Sequence, residues 1–441
     1  MAPPPRATVR YRANNGPQRT VHWGADVQGV APDLALGLLR EGDPTPDLFE
    51  IAGACFAVDR AVPRPDPRNW RWGGSEWSRR LQLHIPVRQP EFWQEQRALL
   101  ERLLTWLTDD DWSLEFTQGA PSYQQTAIRP PPEDEPHTLL FSGGLDSTAG
   151  LARLHAEHSR APLRLASVVT NDRMRNQQKQ ALNSLYGSTH PDWFPFRLNL
   201  VGAKDDPSRA PDSTARTRGF LFLSAGVTTA LAHGGTNLDV YENGTGAVNL
   251  ALSRGQVGAQ AARAVHPRTL KLMSQLASRV LRHGAPSLSP RRFHITNPAA
   301  DTTKAELICN VPEFAWPALH TSVSCDSAFT HGEGGHCGWC SSCVLRRQAM
   351  AVAGHVQAPP LGKPPQAKRD HTAAMLWQVG RLRHTFAGGP SWQRLLTEFP
   401  DVLCVPGATT PQVQRSLMRL LGAYLREWDQ PGVAEAVGFD F

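Results

Sequence analysis

Two groups of residues could do chemistry by the type and spacing of their side chains. The first is LLFSGGLDSTAG, Leu139–Gly150. Apolar residues before Ser142 predict a strand end, and Gly143 and Gly144 permit a tight turn in which backbone N–H groups converge with no Cβ in the way. Ser147 and Thr148 fall at the start of a predicted helix, whose orphan N–H groups and dipole favour a bound anion. The pattern is neither the Walker loop nor the GxGxxG dinucleotide fingerprint. The second group is Cys325, Cys337, Cys340 and Cys343, separated by eleven, two and two residues. Four thiolates match the tetrahedral preference of structural Zn2+ and leave no open position for a water nucleophile. Gly332, Gly334, Gly335 and Gly338 let the loop fold back on a metal. His331 or His336 in place of one cysteine, a CxxC redox pair and an iron–sulfur cluster use the same residue types. Zinc is preferred, because a redox pair leaves two thiols unused.

Further candidates are spread between these two. Arg216 and Arg218 bracket Thr217 ahead of an apolar predicted helix, Gly219–Ala232. A guanidinium pair there could clamp phosphate oxygens. Arginine beside the positive end of a helix dipole is otherwise unfavourable, although ordinary surface charge competes with this reading. The stretch HGGTNLDVYE, His233–Glu242, sets Gly235 beside polar side chains at an expected sheet edge or switch point. Asp239 and Glu242 there are candidates for Mg2+ or for a substrate base.

The elements that must position these residues alternate. Strands are predicted at Thr138–Phe141, Leu163–Val169, Phe194–Leu200 and Asn237–Tyr241, and helices at Thr148–His158, Gln177–Tyr186, Arg218–His233 and Pro267–Arg282. That order predicts an α/β domain, a parallel sheet covered on both faces, over residues 136–355. Residues 1–135 predict a small α+β domain, with strands at Thr8–Arg12, Thr20–Trp23, Ala54–Asp59, Leu81–Val87 and Trp112–Phe116 and a helix at Glu91–Leu107. Arg129–Pro136 reads as a linker. Residues 356–441 predict a helical extension with helices near Thr372–Arg381, Trp392–Glu398 and Gln412–Trp428.

Composition narrows the function classes. The chain has 441 residues with 40% hydrophobic and 20% charged, ordinary for a folded protein and unlike a disordered or collagen-like chain. The +6 formal charge suits an anionic ligand, and ATP satisfies it as well as nucleic acid does. The longest mostly apolar stretch falls short of a membrane span, and the first twenty residues show no apolar leader. A soluble, cytoplasmic protein is the expectation. Seven cysteines, four of them clustered, do not form a secreted disulfide framework. Cys55 and Cys309 read as small core residues.

The SGG-x-DS pattern at Ser142–Ser147 resembles the PP-loop of the ATP pyrophosphatases. That resemblance implies ATP as substrate and contacts to pyrophosphate from Ser142, Gly143, Gly144, Leu145, Asp146 and Ser147, with Asp146 also handling Mg2+. With CGWCSSCVLRRQAM, Cys337–Met350, and TTKAEL, Thr302–Leu307, the span 136–353 resembles the 7-cyano-7-deazaguanine (preQ0) synthases. GTNLD, Gly235–Asp239, and ARTRGF, Ala215–Phe220, look like further nucleotide and substrate segments of that family. The resemblance implies catalytic roles for Asp146, Lys304 and Arg218, with Glu306 orienting Lys304. It implies nucleotide contacts from Arg216, Gly235 and Asp239, and a zinc clip at the four cysteines. It further implies ATP-dependent adenylation of 7-carboxy-7-deazaguanine and then an amide or nitrile. An adenylate makes chemical sense, because carboxylate oxygen is a poor leaving group and AMP a good one.

The departures carry information too. Ordinary preQ0 synthases are shorter and have a D-C-R-P-E-like segment where this chain has Tyr241–Leu270, with His266–Pro267–Arg268 near its end. The added segments look like the larger members of anti-phage operons, Qat-type systems among them. That implies other defence-operon proteins as partners and transfer to a protein acceptor. A free-nitrile synthase of queuosine biosynthesis, a tRNA-modifying PP-loop enzyme and a nucleotide-binding scaffold without turnover remain alternatives. Nucleic acid is not the favoured partner, a membrane is not expected, and a homodimer is compatible with the sequence.

Overall fold

The computed structural model describes residues 8–23, 26–30, 42–64, 78–119, 134–157, 162–200, 216–251, 263–284, 291–325, 328, 335–357 and 366–438. The chain opens with β1 (Thr8–Ala13), β2 (Arg19–His22), β3 (Val27–Val30), α1 (Thr45–Ala61), β4 (Arg80–Val87), α2 (Pro90–Thr108) and β5 (Asp111–Gln118). β4 alternates Leu81, Leu83, Ile85 and Val87 inward, the period-two pattern of a half-buried strand. It pairs antiparallel with β1 and parallel with β5, giving the order β2-β1-β4-β5 with α2 as the crossover.

The second sheet follows from β6 (His137–Leu140), α3 (Leu145–Ala156), β7 (Leu163–Val169), α4 (Asp172–Tyr186), β8 (Asp192–Leu200), α5 (Arg218–Ala232), β9 (Asn237–Asp239), α6 (Gly244–Val248), α7 (Pro267–Gly284) and β10 (His294–Thr296). Its order is β10-β9-β6-β7-β8-β3, with five parallel strands and an antiparallel edge, β3. β7 buries five consecutive residues, as a strand covered on both faces must. The chain steps outward from β6 through β7 and β8, then returns to β6's other side through β9 and β10. The switch point therefore lies between β6 and β9, where ligands bind at the strands' carboxyl ends in such sheets.

Helices α8 (Lys304–Cys309), α9 (Trp316–Thr321) and α10 (Ser341–Val352) complete this part. α11 (Gln366–Phe386), α12 (Trp392–Glu398), α13 (Pro411–Trp428) and α14 (Val433–Val437) form the expected helical extension. Its apolar core, including Val379, Leu395 and Leu421, also takes in Val248 and Val344 of the preceding part.

The strand predicted at Ala54–Asp59 is instead the middle of α1. α1 is buried on nearly every side, so its apolar residues carry no helical period and the apolar run Ala54–Val58 looks like a strand. β3 and β10, with only four and three residues, were not predicted. The N-terminal block is tied to the second sheet as well as to its own: β3 pairs with β8, and one apolar cluster includes Val9, Leu48, Leu100, Phe220 and Leu276. The linker reading at Arg129–Pro136 falls largely outside the described residues. Among the described residues no helix is long and apolar enough to cross a membrane.

Candidate functional site

β6 delivers Phe141–Gly144 to the switch point, and α3 starts at Leu145. Gly143 has φ +74°, a conformation glycine adopts without strain, and a Cβ there would meet Gln178 Cγ at 3.0 Å. The turn's N–H groups face hydroxyls. Ser142 N–H donates to Ser147 Oγ at 3.3 Å, Gly144 N–H to Ser142 Oγ at 3.2 Å, and Leu145 N–H to Ser324 Oγ at 3.3 Å. These are long, weak bonds. A phosphate oxygen accepts from the same kind of donors at a helix start.

Three strand ends converge beside this turn. From α3, Asp146 accepts from Asn243 N–H at 3.0 Å and Asn243 Nδ2 at 2.8 Å on Oδ2, and from Lys304 Nζ on Oδ1. Asn243 follows β9 and caps α6, its Oδ1 accepting from Gly246 N–H at 2.9 Å. Lys304 follows β10 as the first residue of α8 and is 8% exposed. Asn297 braces the two together, with Nδ2 donating to Glu242 O at 2.7 Å, while Gly244 N–H donates to Thr302 O at 2.7 Å.

The two carboxyls at this corner are driven apart in acidity. Burial alone would raise Asp146, but the Lys304 charge and hydrogen bonds from Glu242, Asn243 and Lys304 outweigh it and hold the carboxyl at about 2. Glu242 goes the other way: burial and the neighbouring Asp146 charge push it well above the usual carboxylate range, against the pull of Lys304. Asp146 is thus the more acidic member of the pair and Glu242 the less acidic. Two carboxyls with opposed acidities are the arrangement that separates an acid from a base.

The four predicted metal cysteines come together, with all Sγ atoms within 4.8 Å of one another. Cys337 and Cys343 Sγ are 4.0 Å apart. A tetrahedron of Zn–S bonds of about 2.3 Å has edges near that length. Cys337 N–H donates to Cys325 Sγ at 3.4 Å, and Cys340 N–H to Cys337 Sγ at 3.4 Å, contacts that stabilise thiolate charge. His336 is turned elsewhere, its Nε2 accepting from Ser324 N–H at 3.2 Å, and His331 lies outside the described residues. The donor set is all sulfur and can hold a structural zinc ion. The clip and the glycine turn are mechanically joined: Val323 N–H donates to Gly143 O at 3.2 Å. Arg346 of α10 donates to Ser322 Oγ at 2.9 Å and to Leu319 O at 2.7 Å.

The remaining predicted residues lie at various distances from this corner. Gly235 sits at the amino end of β9, where a Cβ would meet Pro136 O at 3.2 Å, so it is at the opposite end of the strands from Gly143. Asp239 sits within β9, its Oδ2 2.7 Å from His137 Nε2 and its Oδ1 accepting from Thr296. Arg216 and Arg218 flank Thr217, whose N–H and hydroxyl donate to Asp59 of α1 at 2.9 and 2.8 Å. Their place is where α5 meets the N-terminal block. Glu306 reaches back to Thr303 N–H at 2.9 Å, completing a capping box around the first turn of α8; it orients Lys304 through that turn. Cys55 is buried as expected, whereas Cys309 is exposed.

Asn243, Ser324, Gln178 and Arg346 were not among the predicted site residues. Only the position of Arg346, just behind CxxCxxC, gave a sequence signal for any of them.

Residues 264–354 match the family of queuosine biosynthesis protein QueC. The matched span holds Lys304, all four clip cysteines and Arg346, while the glycine turn lies before it. No curated protein matches the chain.

Proposed function

We propose that the protein uses ATP to adenylate the carboxylate of 7-carboxy-7-deazaguanine and passes the activated acyl group to an amine. The observation that carries this reading is the Asp146–Lys304 ion pair with Glu242, set against a glycine turn beside the match to the QueC family. Phosphate oxygens of ATP would replace the Ser142, Ser147 and Ser324 hydroxyls as acceptors for the turn's N–H groups. Lys304 would turn from Asp146 towards the charge that develops at the α-phosphorus, and preorganised positive charge there lowers the barrier. Asp146 and Glu242 are the hard oxygen donors that would hold Mg2+, whose role would be to neutralise pyrophosphate charge. Carboxylate oxygen attacks the α-phosphorus, the bond to the β-phosphate oxygen breaks, and pyrophosphate leaves.

For the acceptor we propose a protein partner in anti-phage defence. Support comes from residues 1–135 and 356–441, which lie outside the span 136–353 that resembles the free-nitrile synthases. The test is to incubate the protein with Mg-ATP and 7-carboxy-7-deazaguanine, with and without ammonia, and quantify AMP by mass spectrometry. Carboxylate-dependent AMP supports adenylation. A free amide or nitrile would move the reading to small-molecule synthesis, and absence of AMP above background would overturn it.

A further inference from the structure

Helix α13 of the helical extension packs against the corner that holds Asp146 and Lys304. Its Leu420 side chain backs the turn after Asn243: a Cβ on Gly244 would meet Leu420 Cδ2 at 2.8 Å. One residue earlier Arg419, with a side chain 48% exposed, donates from Nη1 to Glu306 Oε1 at 2.8 Å and from Nη2 to Glu306 Oε2 at 3.0 Å. Its Nη2 also donates to Asp301 O. Two turns further on, Glu427 is 6% exposed and accepts from Thr303 Oγ1 and from Gln348 Nε2 at 3.2 Å.

The contact with Thr303 has a directional consequence. A hydroxyl has one proton, and Thr303 gives it to Glu427. Its oxygen lone pairs are then left to accept from Glu306 N–H, at 3.0 Å, which is the cap of α8. Lys304 is the next residue. Glu427 therefore sets the rotamer of the cap, and Arg419 holds the other half of the capping box, the Glu306 carboxylate. Burying a carboxyl costs stability, and burial pushes Glu427 up to about 7 despite the Thr303 and Gln348 bonds. Its place is explained by the turn it holds.

We propose that Glu427, assisted by Arg419, is a positioning residue for Lys304, so that the C-terminal extension is a working part of the candidate site. This rests on the role given to Lys304 above, and the test separates the two. Glu427→Met removes the acceptor at similar volume. Glu427→Gln keeps an acceptor for Thr303, and its amide can meet Gln348 Oε1, which has no partner now. Lys304 reactivity towards acetic anhydride is measured by mass spectrometry relative to Lys179 and Lys271, alongside kcat and the ATP KM for AMP formation.

Expected for Glu427→Met is a Lys304-specific rise in labelling of at least about threefold and a fall in kcat of about 10- to 100-fold, with KM changed far less. Glu427→Gln should stay near wild type in both. Unchanged Lys304 labelling in Glu427→Met, or equal losses in the Gln and Met variants, overturns the proposal. Should Glu427→Met label all three lysines through unfolding, Arg419→Ala decides: a smaller Lys304-specific rise supports the coupling, and no rise overturns it. Absence of carboxylate-dependent AMP in the wild-type protein would remove the functional reading, and the labelling ratio would still decide the positioning role.

Discussion

Arg346 offers the sharpest test of how the cysteine clip is joined to the glycine turn. Its side chain is 0% exposed, and Nη1, Nη2 and Nε donate to Ser322 Oγ at 2.9 Å, Leu319 O at 2.7 Å and Gln357 Oε1 at 3.2 Å. Hydrogen bonds from a charged donor contribute about 1.5–3 kcal/mol each before burial is counted. Burial of the guanidinium opposes them, and it pulls Arg346 down to about 10. A net loss of about 3 kcal/mol for Arg346→Ala is the expectation, because three acceptors lose their donor together. The same change frees Ser322–Cys325, which supplies two bonds to the turn, from Val323 N–H to Gly143 O and from Leu145 N–H to Ser324 Oγ. Since a phosphate takes over the Leu145 N–H, only the Val323 bond persists in the ATP complex, and at about 1 kcal/mol its loss weakens ATP about fivefold. Arg346→Lys should fall between, since one ammonium cannot span the separated acceptors. Urea unfolding followed by tryptophan fluorescence reads the first quantity, and titration with a fluorescent ATP analogue the second. A cost below about 1 kcal/mol with ATP affinity within about twofold of wild type would refute the coupling.

Other expectations follow from the same geometry. Lys304→Met should lower AMP formation at least about 100-fold, the scale set by removing one preorganised electrostatic group. It should also flatten the acid limb of stability. Asp146 is held at about 2, so the stability it provides is present above the ordinary carboxyl range and lost as pH falls through that value; without Lys304 the carboxyl rises towards its unfolded value and that acid-dependent loss shrinks. Zinc analysis should give one ion per chain, with Cys337→Ser lowering retention under a chelator. His266 caps α7, its Nδ1 accepting from Arg268 N–H at 3.1 Å, and burial, aided by the Arg263 and Arg268 charges, lowers it to about 3. A depressed histidine contributes full stability above its unfolded value near 6.5 and loses it as pH falls towards 3. Denaturation midpoints measured from pH 7 to 4 should therefore decline less in His266→Asn, which retains a cap acceptor.

Local chemistry made much of this protein legible from its sequence. The glycine turn needs φ above zero at Gly143 and a helix directly behind it, and both requirements are written in adjacent residues. The clip is similarly local, since three of its four thiols lie within seven residues and the fourth, Cys325, precedes them by eleven intervening residues. Amphipathic helices such as α2 and α13 could be read because each keeps one face wet. Helix α1 could not, because a helix buried on nearly all sides loses its period, and the short strands β3 and β10 were missed although the equally short β2 and β9 were read.

The assembly of the candidate site was decided by tertiary structure. Asp146, Asn243 and Lys304 are far apart in the chain and meet because β6, β9 and β10 lie side by side in one parallel order. The same order sends Gly235 to the sheet's other end, although it is only a few residues from Glu242, because a strand separates its two flanking turns. Residue types and short spacings determine which groups are able to bind or react. Which of them share one dielectric environment, and so which carboxyl becomes the stronger acid and which the weaker, depends on neighbours that only the folded chain brings together.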